Sequence, residues 1–90
     1  MGKQIKKYYI YVLLCEDRTL YTGFTTNVEK RFQTHKLGRG AKYTRSHRPI
    51  KILFQKQFPT KHDALSAEYA FKQLTRKQKL QYINNPDSFL

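Results

Sequence analysis

Residues 8–23 read YYIYVLLCEDRTLYTG, and the fold is decided by how this stretch is read. YYIYVLL is a continuous apolar and aromatic run of strand length, EDRT supplies turn residues, and LYTGFT resumes the pattern, so residues 8–25 are expected to form a β-hairpin. Tyr8, Tyr9, Tyr11 and Tyr21 crowd into it, and a tyrosine buried in a sheet carries a phenol that must find a partner. Either these hydroxyls are structural, or they face something they act on. Register separates the cases. A three-residue turn (Glu16, Asp17, Arg18) ending on a left-handed residue pairs Cys15 with Thr19, Leu13 with Tyr21 and Tyr11 with Gly23, which sets Tyr11 and Tyr21 on one face. A two-residue turn would put them on opposite faces. A glycine across from Tyr11 leaves a gap beside its ring for a ligand or another backbone, whereas strand preference alone accounts for Tyr8 and Tyr9.

Outward from the hairpin the period changes. In TTNVEKRFQTHKLG, Asn27 is an N-cap candidate, Glu29 suits the first turn, Val28 and Phe32 repeat at i,i+4, and Gly38 stops the run. The spacing predicts a helix of about three turns. RGAKYTRSHRP is a basic connection with room for one helical turn, ending at Pro49. IKILFQKQF, residues 50–58, alternates Ile50, Ile52 and Phe54 imperfectly against polar neighbours and predicts a strand with one largely covered face. Thr60, with Asp63 three residues on, opens a helix whose stripe is Ala64, Leu65, Ala67, Ala70, Phe71 and Leu74. A last helix over residues 76–84 ends before Pro86. The expected order is β-β-α-β-α-α. Layer packing makes this an α+β fold, a small three-stranded antiparallel sheet flanked by helices.

Ninety residues suit a single domain, 1–90, with a core over about residues 8–84 and ends (MGKQIKK, NPDSFL) expected to fray. Eighteen Lys and Arg against six Asp and Glu give a formal charge of +12, a balance that calls for a polyanionic partner. Nucleic acid is favoured over a membrane because the cations are spread along the chain among tyrosines instead of lining one helix face, and no apolar run is long enough to span a bilayer. A monomer is the favoured state. Cys15 is the single cysteine, and no charged-then-apolar leader is visible, so a reducing, cytoplasmic setting is expected. Cys15 lies mid-hairpin with no evident basic partner and reads as core. His35, His47 and His62 have no metal-ligand spacing among themselves.

Two positions in the helices carry polar residues that demand an explanation. Arg31 and His35 lie four residues apart and project from one side of the first helix, either as a solvated basic face or as a pair flanking the Val28 and Phe32 contact. Glu68 falls within or at the edge of the apolar stripe of the long helix, where an unpaired carboxylate is costly. It is either half of a structural ion pair or a ligand for a divalent metal.

Taken in order, these residues resemble the GIY-YIG nuclease superfamily, and its small stand-alone bacterial members most closely. Tyr9-Ile10-Tyr11 stands where the family has its first tripeptide and Tyr21-Thr22-Gly23 where it has its second. Tyr9 replaces a glycine and Thr22 an isoleucine. Arg31 matches the family's arginine, His35 its histidine or tyrosine, and Glu68 its metal-binding glutamate. The family asparagine that follows the glutamate has no clear counterpart, Asn84 and Asn85 being distant. The likeness covers roughly residues 8–80, and Gly40–Pro49 looks like a segment of the small bacterial branch.

The resemblance implies an endonuclease that hydrolyses DNA phosphodiesters with one divalent metal ion, Mg2+ or Mn2+, held by Glu68. In it Tyr11 helps to activate water, Arg31 clamps the phosphate, His35 and Tyr21 position water or phosphate, with His35 as a proton shuttle, and Gly23 lets the phosphate approach. Positive charge around Tyr11 is expected to favour its phenolate. With no separate DNA-binding domain, grip falls to the phosphate-contact candidates Arg39, Lys42, Tyr43, Arg45, Arg48 and Lys51. Such contacts select branched, nicked or damaged structures over a defined sequence. The competing readings are a nucleic-acid-binding module of the same fold, for DNA or RNA, with little cleavage, and an interaction protein that uses only its charge.

Overall fold

The structure is a computed structural model in which residues 7–85 are described; the expectation of frayed ends concerns residues that lie almost wholly outside that range. Seven elements follow in the order β1 (Tyr8–Cys15), β2 (Leu20–Thr25), α1 (Val28–Lys36), α2 (Lys42–Ser46), β3 (Pro49–Phe58), α3 (Lys61–Lys72) and α4 (Arg76–Asn84). The expected α+β order holds. The addition is α2, the single turn for which the basic connection had room.

The hairpin closes with the three-residue turn. Arg18 takes the left-handed conformation (φ 71°), the Cys15 amide donates to the Thr19 carbonyl at 2.9 Å, and Asp17 accepts from both the amide and the hydroxyl of Thr19 at 3.2 and 2.6 Å. Tyr11 consequently pairs with Gly23 and Leu13 with Tyr21. β1 lies in the middle of the sheet (β2-β1-β3), antiparallel to both neighbours. Because side chains alternate along it, β1 feeds two cores. Tyr11 and Leu13 pack with Val28 and Phe32 of α1 on one face, while Val12 packs with Phe71 and Tyr82 of α3 and α4 on the other.

β3 departs from the simple alternation expected of it. Its register slips twice against β1, so that Leu13 faces Ile52 while Val12 faces Phe54, and Leu14 faces Lys51 while Cys15 faces Pro49. Leu53 and Ile50 are the extra residues, each a bulge that resets the alternation. Ile52 therefore joins the α1 core, Phe54 joins the α3–α4 core, and Ile50 is half exposed. The α3 stripe is also narrower than expected: Ala64 and Phe71 are buried, whereas Leu65 and Ala70 are exposed. Side-chain caps start three helices, Asn27 accepting from Lys30, Thr60 from Asp63, and Thr75 from Gln78 in a reciprocal capping box. Cys15 is buried in the sheet, its thiol pushed up by burial. No helix among the described residues is long and apolar enough to cross a membrane.

Arg18 supports the register at a steric cost that glycine would not incur. Arg18→Gly should keep the hairpin and raise unfolding free energy by about 0.5 kcal/mol, the left-handed penalty removed less the entropy glycine adds to the unfolded chain. Urea denaturation with an unchanged m-value checks it.

Candidate active site

The hydroxyl of Tyr11, on a strand residue 1% exposed, meets Nε2 of His35 on α1 at 2.8 Å. His35 is wholly buried. Its other nitrogen, Nδ1, lies 2.7 Å from Oγ1 of Thr44 on α2, and that hydroxyl donates to the Ala41 carbonyl at 3.0 Å. With the Thr44 proton assigned to Ala41, Nδ1 donates to Thr44 and Nε2 is bare. Arg31 is near enough to lower the phenol's pKa against its burial, and with Nε2 bare the phenol proton points to it. The Ala41 amide also approaches Nδ1, at 3.4 Å, too far to reverse this assignment against the shorter contacts. The result is a one-way chain: Tyr11 to His35, His35 to Thr44, Thr44 to Ala41.

Two glycines make room for it. A Cβ at Gly23 would collide with the hydroxyl and ring of Tyr11, and one at Gly40 with the imidazole of His35. The gap expected at Gly23 for a phosphate is therefore filled by Tyr11 itself. Tyr8 and Tyr9 serve packing as expected, Tyr8 stacked on Phe24 at 6.2 Å and Tyr9 against the α1 core.

Burial decides the protonation states. It pushes the Tyr11 phenol up to about 12, outweighing the opposing hydrogen bond and charge of Arg31, which corrects the expectation that positive charge would win. Burial, with the Arg31 charge adding to it, lowers His35 to about 4. At neutral pH both groups are uncharged, a protonated phenol donating to a neutral imidazole.

Tyr21 is half-buried and stands between this chain and solvent, its ring 6.3 Å from Tyr11 and 5.0 Å from His35. Tyr43 stacks on it at 6.0 Å, and His47 stacks on Tyr43 at 4.0 Å while bonding the Asp17 carboxylate of the hairpin turn. Asp17 is held down at about 2 by the Thr19 hydroxyl and then by His47. Tyr43 remains 38% exposed, which leaves part of the residue open to a ligand. Glu68, its side chain 17% exposed, bonds Lys72 one turn on at 3.2 Å and is near enough for its charge to act on Tyr11. Arg39, Lys42, Arg45, Arg48 and Lys51 are all exposed. Asn84 and Asn85 end α4, away from the Tyr11 chain.

Thr44 and Gly40 belong to this constellation and were not singled out from the sequence. The signal that could have found them is their position: a glycine and a threonine just after His35, where a loop must fold back over the ring.

Comparison with known proteins bears on what the cluster is. A family model described as the GIY-YIG catalytic domain matches residues 7–81. The chain belongs to the GIY-YIG family. Among its relatives are small bacterial UPF0213 proteins. That of Lactiplantibacillus plantarum is 54% identical over 85 residues, covering 92% of this chain and 84% of the relative; those of Streptococcus agalactiae are 55% identical over 75 residues, covering 83% and 85%. An NMR structure of a protein from E. faecalis has 43% identity and a TM-score of 0.64 over 100% of this chain and 95% of that one. The NMR structure of a Bacillus halodurans UPF0213 protein has 41% identity and a TM-score of 0.57, covering 87% and 83%.

Among the described residues no three His, Cys, Asp or Glu side chains gather as a metal site. Glu68 alone offers a hard oxygen in this GIY-YIG cluster. That fits Mg2+ or Mn2+, which keep several waters and bind through one or two carboxylates plus substrate phosphates, provided Lys72 gives way.

Two outcomes are expected. Gly40→Ala should destabilise the fold by about 1–3 kcal/mol through overpacking against His35, read by denaturant titration. His35 titrates at about 4 in the fold against 6.5 when free, so the unfolded chain takes the proton first. Stability should be full above pH 6.5 and fall as pH drops from there towards 4, with the His35 ring protons showing no NMR titration until pH nears 4.

Proposed function

We propose that this GIY-YIG domain is a metal-dependent endonuclease that hydrolyses phosphodiester bonds in DNA and selects branched, nicked or damaged structures over sequence. The observation that supports it most is the buried hydrogen-bonded chain on the Tyr11 hydroxyl, with the Arg31 and Glu68 charges near enough to act on it. A structural phenol needs one partner. This one has an aligned acceptor and a further acceptor behind that.

A phenol held at about 12 has no useful phenolate population at neutral pH, so Tyr11 works by handing on a proton as it receives one. When water attacks phosphorus, the P–O bond to the leaving oxygen breaks and that oxygen takes a proton from solvent, while the attacking water's proton passes to the Tyr11 oxygen and the phenol proton passes to Nε2 of His35. The imidazolium is held by Thr44 through Nδ1–H, and the negative charge growing on the phosphate offsets it. Arg31 binds a non-bridging oxygen and stabilises that charge, and Tyr21, on the solvent side, orients the phosphate. A divalent ion held by Glu68 would supply Lewis-acid stabilisation of the phosphate and leaving oxygens. Arg39, Lys42, Arg45, Arg48 and Lys51 hold the flanking backbone, which positions the duplex without reading bases.

Two observations favour a second reading, a binding module without cleavage: Tyr11 is 1% exposed and Glu68 is already paired with Lys72. The two readings part in a single assay. With Mg2+ or Mn2+ the protein should nick branched or flapped DNA, and Glu68→Ala and Tyr11→Phe should each lower the rate by at least roughly a hundredfold while DNA binding persists. Equal residual cleavage by the wild type and both variants would leave only the binding module.

A further inference from the structure

Leu20, Tyr21 and Thr22 of β2 face Lys72 of α3 and Lys79 of α4 across a depression of about 260 Å3 that Tyr43 completes. Lys79 also lines a neighbouring hollow of about 170 Å3 with Thr19, Leu20 and Arg76. No acidic side chain lines either hollow, and the first turn of α4 has none. In this setting Thr22 stands out. It is 5% exposed, and its hydroxyl has no hydrogen-bond partner, whereas buried polar groups are nearly always paired. An unpaired donor buried beside Lys72 and Lys79 is suited to an anion that displaces what covers it and accepts from it.

The depression adjoins the candidate active site on two sides. Tyr21 is shared with the Tyr11 ring cluster, and Lys72 is bonded to Glu68. We infer that this depression is a second phosphate subsite, taking a nucleic-acid backbone phosphate that neighbours the one attacked, with the Thr22 hydroxyl donating to a non-bridging oxygen and Lys72 and Lys79 supplying the charge. The identity of the anion rests on the nucleic-acid-cleaving reading; the site itself rests on Thr22 and the lysines. Lys79 is already half-buried, its ammonium 5.9 Å from the centroid of the Phe71 ring, so less of its freedom is lost on binding than for a fully solvated lysine. The subsite lies on the α4 side of Tyr21, whereas Lys42 and Arg45 lie on α2, and a strand lying over Tyr21 would be gripped on both sides of the scissile bond.

The test is metal-free binding of a short fluorescein-labelled single-stranded DNA, followed by anisotropy through a salt series. Thr22→Val, which keeps the shape and removes the donor, should weaken binding roughly three- to tenfold at low salt, with Thr22→Ser restoring it. Lys79→Gln should flatten the slope of log affinity against log salt by about 0.7, and Lys61→Gln, an exposed cation at the far end of α3, should change neither the affinity nor the slope as much. Thr22→Val binding as tightly as wild type at an unchanged melting temperature overturns the subsite, as does a loss in Lys79→Gln no larger than in Lys61→Gln. Because neither metal nor cleavage enters, a protein that never nicks DNA could still pass this test, and one that fails it could still be a nuclease.

Discussion

The hydrogen bond from Tyr11 to His35 ties the central strand to the first helix across the interior, and much of the chain is arranged so that it can form. The hairpin register sets the phenol opposite a residue with no side chain, so its oxygen can lie over the backbone of β2. The loop after α1 folds back so that Gly40 passes the imidazole where any Cβ would collide, and α2 is brought up to present Thr44. Two buried polar side chains would each be a liability alone, since an unpaired buried donor or acceptor costs about 1–3 kcal/mol. Joined end to end, and finished on the Ala41 carbonyl, they leave no orphan among themselves.

The same burial changes what positive charge can do. A net charge of +12 invites the expectation that acids near it ionise readily, yet surface cations are screened within about 8–10 Å at ordinary ionic strength, while the Tyr11 ring has lost its water. Desolvation therefore outweighs the adjacent guanidinium, and the phenol stays protonated. A group in that state is useful as a relay and poor as a free base, which is why His35 behind it matters more than the overall charge. The exposed cations act at longer range, in holding a polyanion.

The hairpin and its turn were legible in the sequence because each rests on local spacing, whereas Tyr11, Tyr21, Arg31, His35 and Glu68 were picked out as a set by their resemblance to a family pattern. Turn length fixed the face shared by Tyr11 and Tyr21, and Asn27 and Thr60 marked helix starts through their own backbone neighbours, whereas the cap at Thr75 was not singled out. What was not legible depends on contacts between distant segments. The bulges at Ile50 and Leu53 arise from pairing with β1, so the alternation within residues 50–58 could not reveal that Ile52 and Phe54 serve opposite faces. That Gly23 admits a tyrosine of its own chain follows from the ring's packing across the hairpin, and that Thr44 completes a chain begun at Tyr11 follows from how the loop after α1 packs. The direction of the Tyr11 shift was missed because charge is countable from composition and burial is not.

The most direct measurement is the tautomer of His35, read from long-range proton–nitrogen NMR correlations at neutral pH. If the phenol donates to His35 and Thr44 receives from it, Nδ1 carries the proton and Nε2 shows the shift of a bare, hydrogen-bonded nitrogen. A protonated Nε2 with a bare Nδ1 would contradict this, since Tyr11 would then accept from His35 and could pass no proton to the imidazole.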